Sequence, residues 1–201
     1  MKVRRHLVLF VRAPRLGNGK RRLARDIGDL AALRFERAML GRLGRRLGRD
    51  RRWRLRLAVT PDAARVARRL WPRGAPVATQ GAGDLGGRMR RALASCPPGP
   101  AVLVGADIPG LAAHHIATAF RLLGRHDVVF GPAEDGGFWL VGARRCPRLP
   151  PLFGRVRWSG PHALADALAA LPPLVSVGFA ARLADVDDGD AYRRLAPRRG
   201  F

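Results

Sequence analysis

The sequence predicts an α/β fold: a mostly parallel, doubly wound sheet flanked by helices, with one antiparallel β-hairpin over 127–143. Three observations predict it. Short apolar runs alternate with helical stretches along the whole chain, the connections between them are short, and neither repeat nor linker interrupts the series. The 201 residues suit one domain, 1–201, large enough to bury a substantial core, and a 47% apolar content argues against disorder.

Each element follows from its pattern. "HLVLFV" (6–11) is an apolar strand, and "GDLAALRFERAMLGRLGRRLG" (28–48) carries apolar residues at helical spacing. "RLRLAVT" (54–60) alternates as a strand does, and "PDAARVARRLW" (61–71) opens with Pro-Asp, a helix start. "PVATQ" (76–80) is a short strand before the helix "DLGGRMRRALAS" (84–95). "AVLVGA" (101–106) is the most strand-like segment, followed by the helix "LAAHHIATAFRLLG" (111–124). "DVVFG" (127–131) and "GFWLVGA" (137–143) form the hairpin. A helix over 159–171, a strand over 174–179 and a helix over 188–196 complete the series.

Charge raises a separate question. The chain has 38 basic residues against 15 acidic ones, a net charge of +23, and only Lys2 and Lys20 are lysine. The arginines are scattered over helix faces without interleaved aromatic residues, which favours a solvated surface over a specific nucleic-acid groove. Membrane insertion is not expected. The apolar stretch from Ala167 to Ala181 is short and holds Pro172 and Pro173. The opening "MKVRRHLVLFVRAP" imitates a signal peptide, but Arg12 interrupts it. Cys96 and Cys146 lack metal-ligand spacing, so a soluble protein of the reducing cytoplasm is expected.

In sheets of this class ligands sit beyond the carboxyl ends of the strands. Four loops rich in Gly, Asp and Lys fall there: 13–22, 81–88, 105–110 and 131–137. In the first, Pro14, Gly17 and Gly19 precede Lys20 and Arg22, so backbone amides and cations could meet a phosphate; the alternative is a Gly-rich turn with surface arginines. The second, "QGAGDLGGR", contains a formal G-x-G-x-x-G, with Gly83, Asp84 and Arg88 as candidate donor contacts. Its strand is short and is not the first of the chain, so a helix start with Asp84 countering the macrodipole is the competing reading.

Asp107 stands just past the most strand-like run, where a divalent cation would need a carboxylate. The hairpin tip "GPAEDGGF" spends two scarce acids, Glu134 and Asp135, beside Gly136 and Gly137. One carboxylate there could serve as general base, with the glycines admitting a ligand close to backbone; a plain hairpin turn is the alternative. In "LADVDDGD", Asp188 or Asp190 is expected to cap the last helix, leaving Asp187 to complete a metal site. Trp139 and Trp158 could line a pocket or pack in the core.

Taken together, "FVRAPRLGNGKRRLA", "QGAGDLGGRM", "VLVGADIPGL", "DVVFGPAEDGGFWLVG", "LFGRVRWSGPHAL" and "LADVDDGDAYRRL" resemble, in that order, a bacterial family of small GT-A-type glycosyltransferases. Its members are associated with radical-SAM or selenoprotein genes or with arsenosugar biosynthesis. The family is similar to the nucleotidyltransferases of molybdenum-cofactor and phospholactate metabolism.

The resemblance implies a single GT-A, nucleotide-diphospho-sugar transferase-like domain using Mg²⁺ or Mn²⁺. It implies that Asp107 and Asp187 hold the metal and that Lys20 and Arg22 meet the donor phosphates. Two motifs depart from the family's pattern: Lys-Thr-Arg-Leu is Lys20-Arg21-Arg22-Leu23, and Trp-Ser-Thr is Trp158-Ser159-Gly160. Only one Asp stands at 105–109, where a D-x-D pair is usual.

The expected activity is transfer of a sugar from a nucleotide-diphosphate donor to a small-molecule acceptor. A nucleotidyltransferase acting on a phosphorylated small molecule is the alternative, and a non-catalytic basic nucleic-acid binder the second. All enzymatic readings require Lys20, Asp107 and Asp135 to gather at one rim of the fold.

Overall fold

The computed structural model describes residues 4–145 and 148–195, which leaves Cys146 outside the described residues. Seven strands form one sheet: β1 (His6–Arg12), β2 (Arg54–Thr60), β3 (Val77–Thr79), β4 (Gly99–Gly105), β5 (Val128–Pro132), β6 (Phe138–Arg145) and β7 (Val177–Phe179). Their spatial order is β3-β2-β1-β4-β6-β5-β7, and every pairing is parallel except the two made by β6. The helices are α1 (Arg21–Ile27), α2 (Asp29–Gly48), α3 (Leu85–Ala94), α4 (Ala113–Leu122), α5 (Ala163–Ala169) and α6 (Gly189–Leu195).

Strand periodicity divides the interior into two cores. Leu7, Leu9 and Val11 of β1, with Val102 and Val104 of β4, face a core shared with Phe35, Met39 and Leu43 of α2 and Ile116 and Phe120 of α4. The alternate residues Val8, Ala101 and Leu103 face the other side, where Met89 and Leu93 of α3 and Ala167 of α5 close over Phe130. Burial on both faces explains why these strands read as unbroken apolar runs rather than as alternating ones.

Two sequence expectations need correction. The helix start over 61–71 becomes two 3-10 turns, Asp62–Val66 and Arg68–Leu70. The least exposed positions there, Ala64, Ala67 and Leu70, recur every three residues, the 3-10 repeat, so no α-helical stripe exists to be buried. The Trp71 indole N–H holds the turn by donating to the Ala64 carbonyl at 2.9 Å. The helix expected over 28–48 is preceded by a separate one, α1, and the two are divided at Gly28, whose φ of 84° breaks the helical path.

The hairpin forms as expected. Its second strand lies between β4 and β5, antiparallel to both, because the tight turn after Pro132 reverses the chain at once. The carboxyl ends of β4 and β5 are thereby set one strand apart, with Phe138 and Trp139 opening β6 between them. No helix among the described residues is long and apolar enough to cross a membrane.

Phe130 is fully buried at the centre of the second core. Replacing it with Ala should lower the unfolding free energy by about 3–5 kcal/mol, read from denaturant midpoints at unchanged slope.

Candidate active site

Three loops meet beyond the carboxyl ends of β1, β4 and β5. The Lys20 ammonium donates to Asp107 Oδ2 at 2.8 Å and to Asp187 Oδ1 at 2.5 Å, joining the loops after β1 and β4 to the segment before α6. Backbone contacts secure the same junction. The Val186 N–H donates to the Asp107 carbonyl at 3.2 Å, and Leu183 N–H donates to Pro132 O at 3.2 Å. Asp107 does not cap α4, whose N-cap residue is Ala112, so its carboxylate is available to the site.

The sequence reading misses Asp185 as a partner of this cluster. Asp107, Asp185 and Asp187 each offer a carboxylate oxygen, and these oxygens lie within 4.8 Å of one another. An all-oxygen donor set of this kind fits a hard divalent cation such as Mg²⁺ or Mn²⁺. The signal was present in "DVD": Val186 is buried between two acids, and in an extended segment residues i and i+2 face the same way. The D-x-D spacing missing at 105–109 is supplied by 185–187, across the loop from Asp107.

Burial by itself would lower the Lys20 pKa, but Asp107 and Asp187 outweigh it and hold the ammonium above its ordinary value. Burial pushes the Asp185 carboxyl up to about 6, and the neighbouring Asp187 and Asp107 add to the effect. Glu36 of α2 is a second group the sequence reading did not assign to the site. Its carboxylate accepts from the Lys20 backbone N–H at 3.2 Å and packs against Gly19, where a Cβ would lie 2.5 Å from Glu36 Oε2. Burial raises the Glu36 pKa, partly offset by that N–H. A side chain at Gly19 would have to push the Glu36 carboxylate out of this contact. Gly17 is needed for its φ of 70° alone, since nothing lies near a Cβ there.

Two clefts open from the cluster. A cavity of about 210 Å³ is lined by Asp107, Asp135 and Asp185 together with Phe138, Trp158 and Leu85. A larger cleft of about 680 Å³ is lined by Arg22, Glu134, Asp135, Asp185 and Asp187. Asp135 borders both; Glu134 borders only the outer one. Lys20, Asp107 and Asp135 thus share one rim.

The hairpin tip is both a turn and a wall of the site. Asp135 Oδ1 accepts the Gly137 N–H at 2.9 Å, and Ala133 N–H donates to Gly137 O at 3.0 Å. The close approach expected of a ligand at Gly136 is made instead by the chain itself: a Cβ there would run into the Pro161 carbonyl, and φ is 84°. Gly137 lines the cavity. Ser159, with φ of 64°, and an edge of Trp139 also reach it. Trp139 is otherwise a core residue whose indole N–H donates to Ala181 O at 3.0 Å. The Trp158 N–H is buried without a partner.

The glycine-rich second loop owes its pattern to three separate needs. Gly81 and Gly83 have φ of 73° and 102°, while a Cβ at Gly86 would lie 2.6 Å from the Trp158 ring. Asp84 caps α3 by accepting the Gly87 N–H at 2.7 Å. Arg88 donates to the side chain of Gln80 and lies over Phe10, 5.8 Å from the ring centroid. Gln80, fully buried, also donates to Val11 O and Ala58 O. Of this segment Leu85 and Met89 enter the cavity lining, whereas Gly83, Asp84 and Arg88 do not. Pro14 is buried beneath the first loop, and Asp188 caps α6 through the Ala191 N–H at 2.8 Å, as expected.

A family model described as uncharacterized proteins conserved in bacteria (DUF2064) matches residues 43–160, more than half of the chain. The chain belongs to this family. The matched span holds Asp107, Glu134, Asp135 and Trp158, while Lys20, Asp185 and Asp187 lie outside it. Comparison with curated proteins finds no match.

Among solved structures, one named a "putative nucleotide-diphospho-sugar transferase" from Desulfovibrio desulfuricans G20 superposes on this DUF2064 chain with a TM-score of 0.81. The two are 26% identical over 98% of this chain and 89% of that one. Glucosyl-3-phosphoglycerate synthase from Mycobacterium tuberculosis, in complex with Mn²⁺, UDP and glucosyl-3-phosphoglycerate, matches at a TM-score of 0.55 and 13% identity, covering 92% of this chain and 71% of that one. A 4-diphosphocytidyl-2C-methyl-D-erythritol synthase from Anaerococcus prevotii matches at 0.59 and 7%, covering 98% and 99%. The DUF2064 chain has the fold of the nucleotide-diphospho-sugar transferases.

Lys20 occupies the position among the carboxylates that a divalent cation would take. Removing one buried charge-assisted contact is worth roughly 1.5–3 kcal/mol, so Lys20→Met should tighten Mn²⁺ binding to the nucleotide-free protein roughly tenfold or more, measured by calorimetric titration. Asp185 holds its proton more tightly folded than unfolded, so the folded chain binds more protons between pH 3.8 and about 6. Stability of the metal-free protein should therefore fall as pH rises through that window, and Asp185→Asn should reduce the fall, leaving the part contributed by Glu36, in thermal melts across pH.

Proposed function

We propose that this chain is a metal-assisted glycosyltransferase that moves a sugar from a nucleotide-diphosphate donor to a small-molecule acceptor. The observation that carries this reading is the single rim on which Lys20, the carboxylates Asp107, Asp185 and Asp187, and the hairpin carboxylate Asp135 stand together. Membership of the arsenosugar or radical-SAM-associated subtype suggested by the motifs belongs to the same proposal, as does action in the cytoplasm as one domain.

Asp107 and Asp187, joined by Asp185, would hold Mg²⁺ or Mn²⁺, which when bound neutralises charge developing on the departing nucleoside diphosphate. Lys20, freed from Asp107 and Asp187 by the metal, would turn its ammonium to the same phosphates, and Glu36 holds the loop that carries it. Arg22, in the first turn of α1, faces the outer cleft and adds a second cation there. The donor sugar fits the smaller cavity, which is lined by Phe138 and Trp158 together with Asp107, Asp135 and Asp185.

Asp135 is the group placed to take the acceptor's proton. One of its oxygens is anchored by the Gly137 N–H, and the residue borders both clefts. Glu134, exposed on the outer cleft only, is positioned to orient the acceptor.

Thermal shift with UDP-, GDP- and ADP-sugars against nucleoside triphosphates, with and without Mn²⁺, tests the reading. Metal-dependent stabilisation by one nucleotide-sugar is expected, and Asp107→Asn should remove it. Asp135→Asn should leave that stabilisation intact and lower turnover by roughly 10²–10⁴. Stabilisation by triphosphates and not by nucleotide-sugars would replace sugar transfer with nucleotidyl transfer.

A further inference from the structure

At the opposite end of the sheet from Lys20 and Asp107, the amino ends of β1 and β2 meet the carboxyl end of α2 and the 72–76 segment around a cleft of about 740 Å³. Arg4, Arg45, Arg49, Arg54, Arg56 and Arg73 line it. A second cleft of about 780 Å³ adjoins it through Pro72–Pro76 and adds Arg65, Arg68 and Arg69. We propose that these joined clefts are a binding surface for the phosphate backbone of a nucleic acid, separate from the candidate active site and independent of base sequence.

The first support is the pattern of charge rather than its total. Among the described residues three arginines elsewhere are matched with acids, Arg144 with Asp127, Arg157 with Asp166 and Arg193 with Asp190, and what marks the clefts is that unpaired arginines gather around one shared space. Among the described residues, none of the nine cleft arginines named above makes an ion pair. The one carboxylate in the lining, Asp50, is already engaged by Arg52 at 2.6 Å. Unneutralised like charges facing a shared cleft repel one another, and that repulsion is relieved only by an anion.

The second support is independent of arginine. His6 lines the first cleft, is only 4% exposed, and both its ring nitrogens lack a partner. A buried polar group is ordinarily satisfied. Arg4 and Arg56, which line the same cleft, act electrostatically on the imidazole, so a phosphate seated there would change the ring's surroundings.

The chemistry of the walls selects among polyanions. Trp53 and Trp71 are buried, and their indole N–H groups are committed to Leu47 O and Ala64 O at 2.9 Å each, so the surface offers no aromatic platform for unstacked bases. Contact through phosphates is what remains, and phosphates carry no sequence information. Of the large apolar side chains exposed among the described residues, only Val66 lies at these clefts, too little apolar surface to enter a bilayer.

Fluorescence anisotropy with a short labelled RNA duplex tests the surface. Arg49→Gln, Arg54→Gln and Arg73→Gln combined should weaken binding roughly tenfold or more and reduce the salt dependence, log Kd against log[salt], by ~2–3. A control of equal charge, Arg90→Gln, Arg125→Gln and Arg155→Gln, should change affinity by less than about threefold. All six residues are exposed, and matching melting curves confirm intact folds. In NMR, the His6 ring resonances should shift on adding the duplex. Equal losses in the two triple variants, or no His6 shift, would overturn the proposal in favour of diffuse attraction. Preferential binding to phosphatidylserine vesicles with the same arginine dependence would also overturn it, in favour of a membrane surface. The cleft variant should retain stabilisation by nucleotide-sugars if the reading of the other site holds, so the two proposals fail separately.

Discussion

The Lys20 ammonium, held between Asp107 and Asp187, is the contact on which the candidate site depends. It spans 87 and 167 residues of sequence, drawing together the beginning, middle and end of the chain. A cation buried to this degree is tolerated only because two carboxylates compensate it, and the carboxylates are tolerated so close together only because the cation lies between them. The same arithmetic makes the cluster responsive. Under the proposed function, donor phosphates would compete for the ammonium and a divalent cation would replace it among the oxygens, which would couple donor and metal through one side chain.

The sheet makes this contact possible. Parallel β1 and β4 deliver the first loop and Asp107 to the same edge. Insertion of antiparallel β6 then opens a one-strand gap between the ends of β4 and β5, and the cavity sits above it, floored by Phe138 and an edge of Trp139. Chain running back from β7 fills the rest: Ala180 and Leu183 bond to the end of β5, and Val186 crosses to Asp107. The acids of 185–187 reach the site because the backbone is stitched along that path.

Charge is distributed by function rather than spread evenly. The acids are few, and both glutamates serve the candidate site, Glu36 under the first loop and Glu134 on the outer cleft. At the opposite end arginines face one another around clefts whose one lining carboxylate, Asp50, is already engaged by Arg52.

Much of the fold and part of the site were legible in the chain itself. Apolar period and the placement of Gly and Pro are local signals, so the strands, most of the helices and the hairpin could be read, and Asp107, Asp187 and Lys20 stood out by their place after strands. The failures were also local: at 61–71 a Pro-Asp start leads into a three-residue repeat rather than an α-helix, and the short uncapped helix ahead of Gly28 went unread while the one over 28–48 formed as expected. Only the tertiary structure decided that Asp185 joins Asp187, that Glu36 holds Gly19 and that Gly136 yields to Pro161. Each of those contacts joins segments whose proximity depends on how the packed layers and loops fold over one another, and no local pattern records a distance across the sheet.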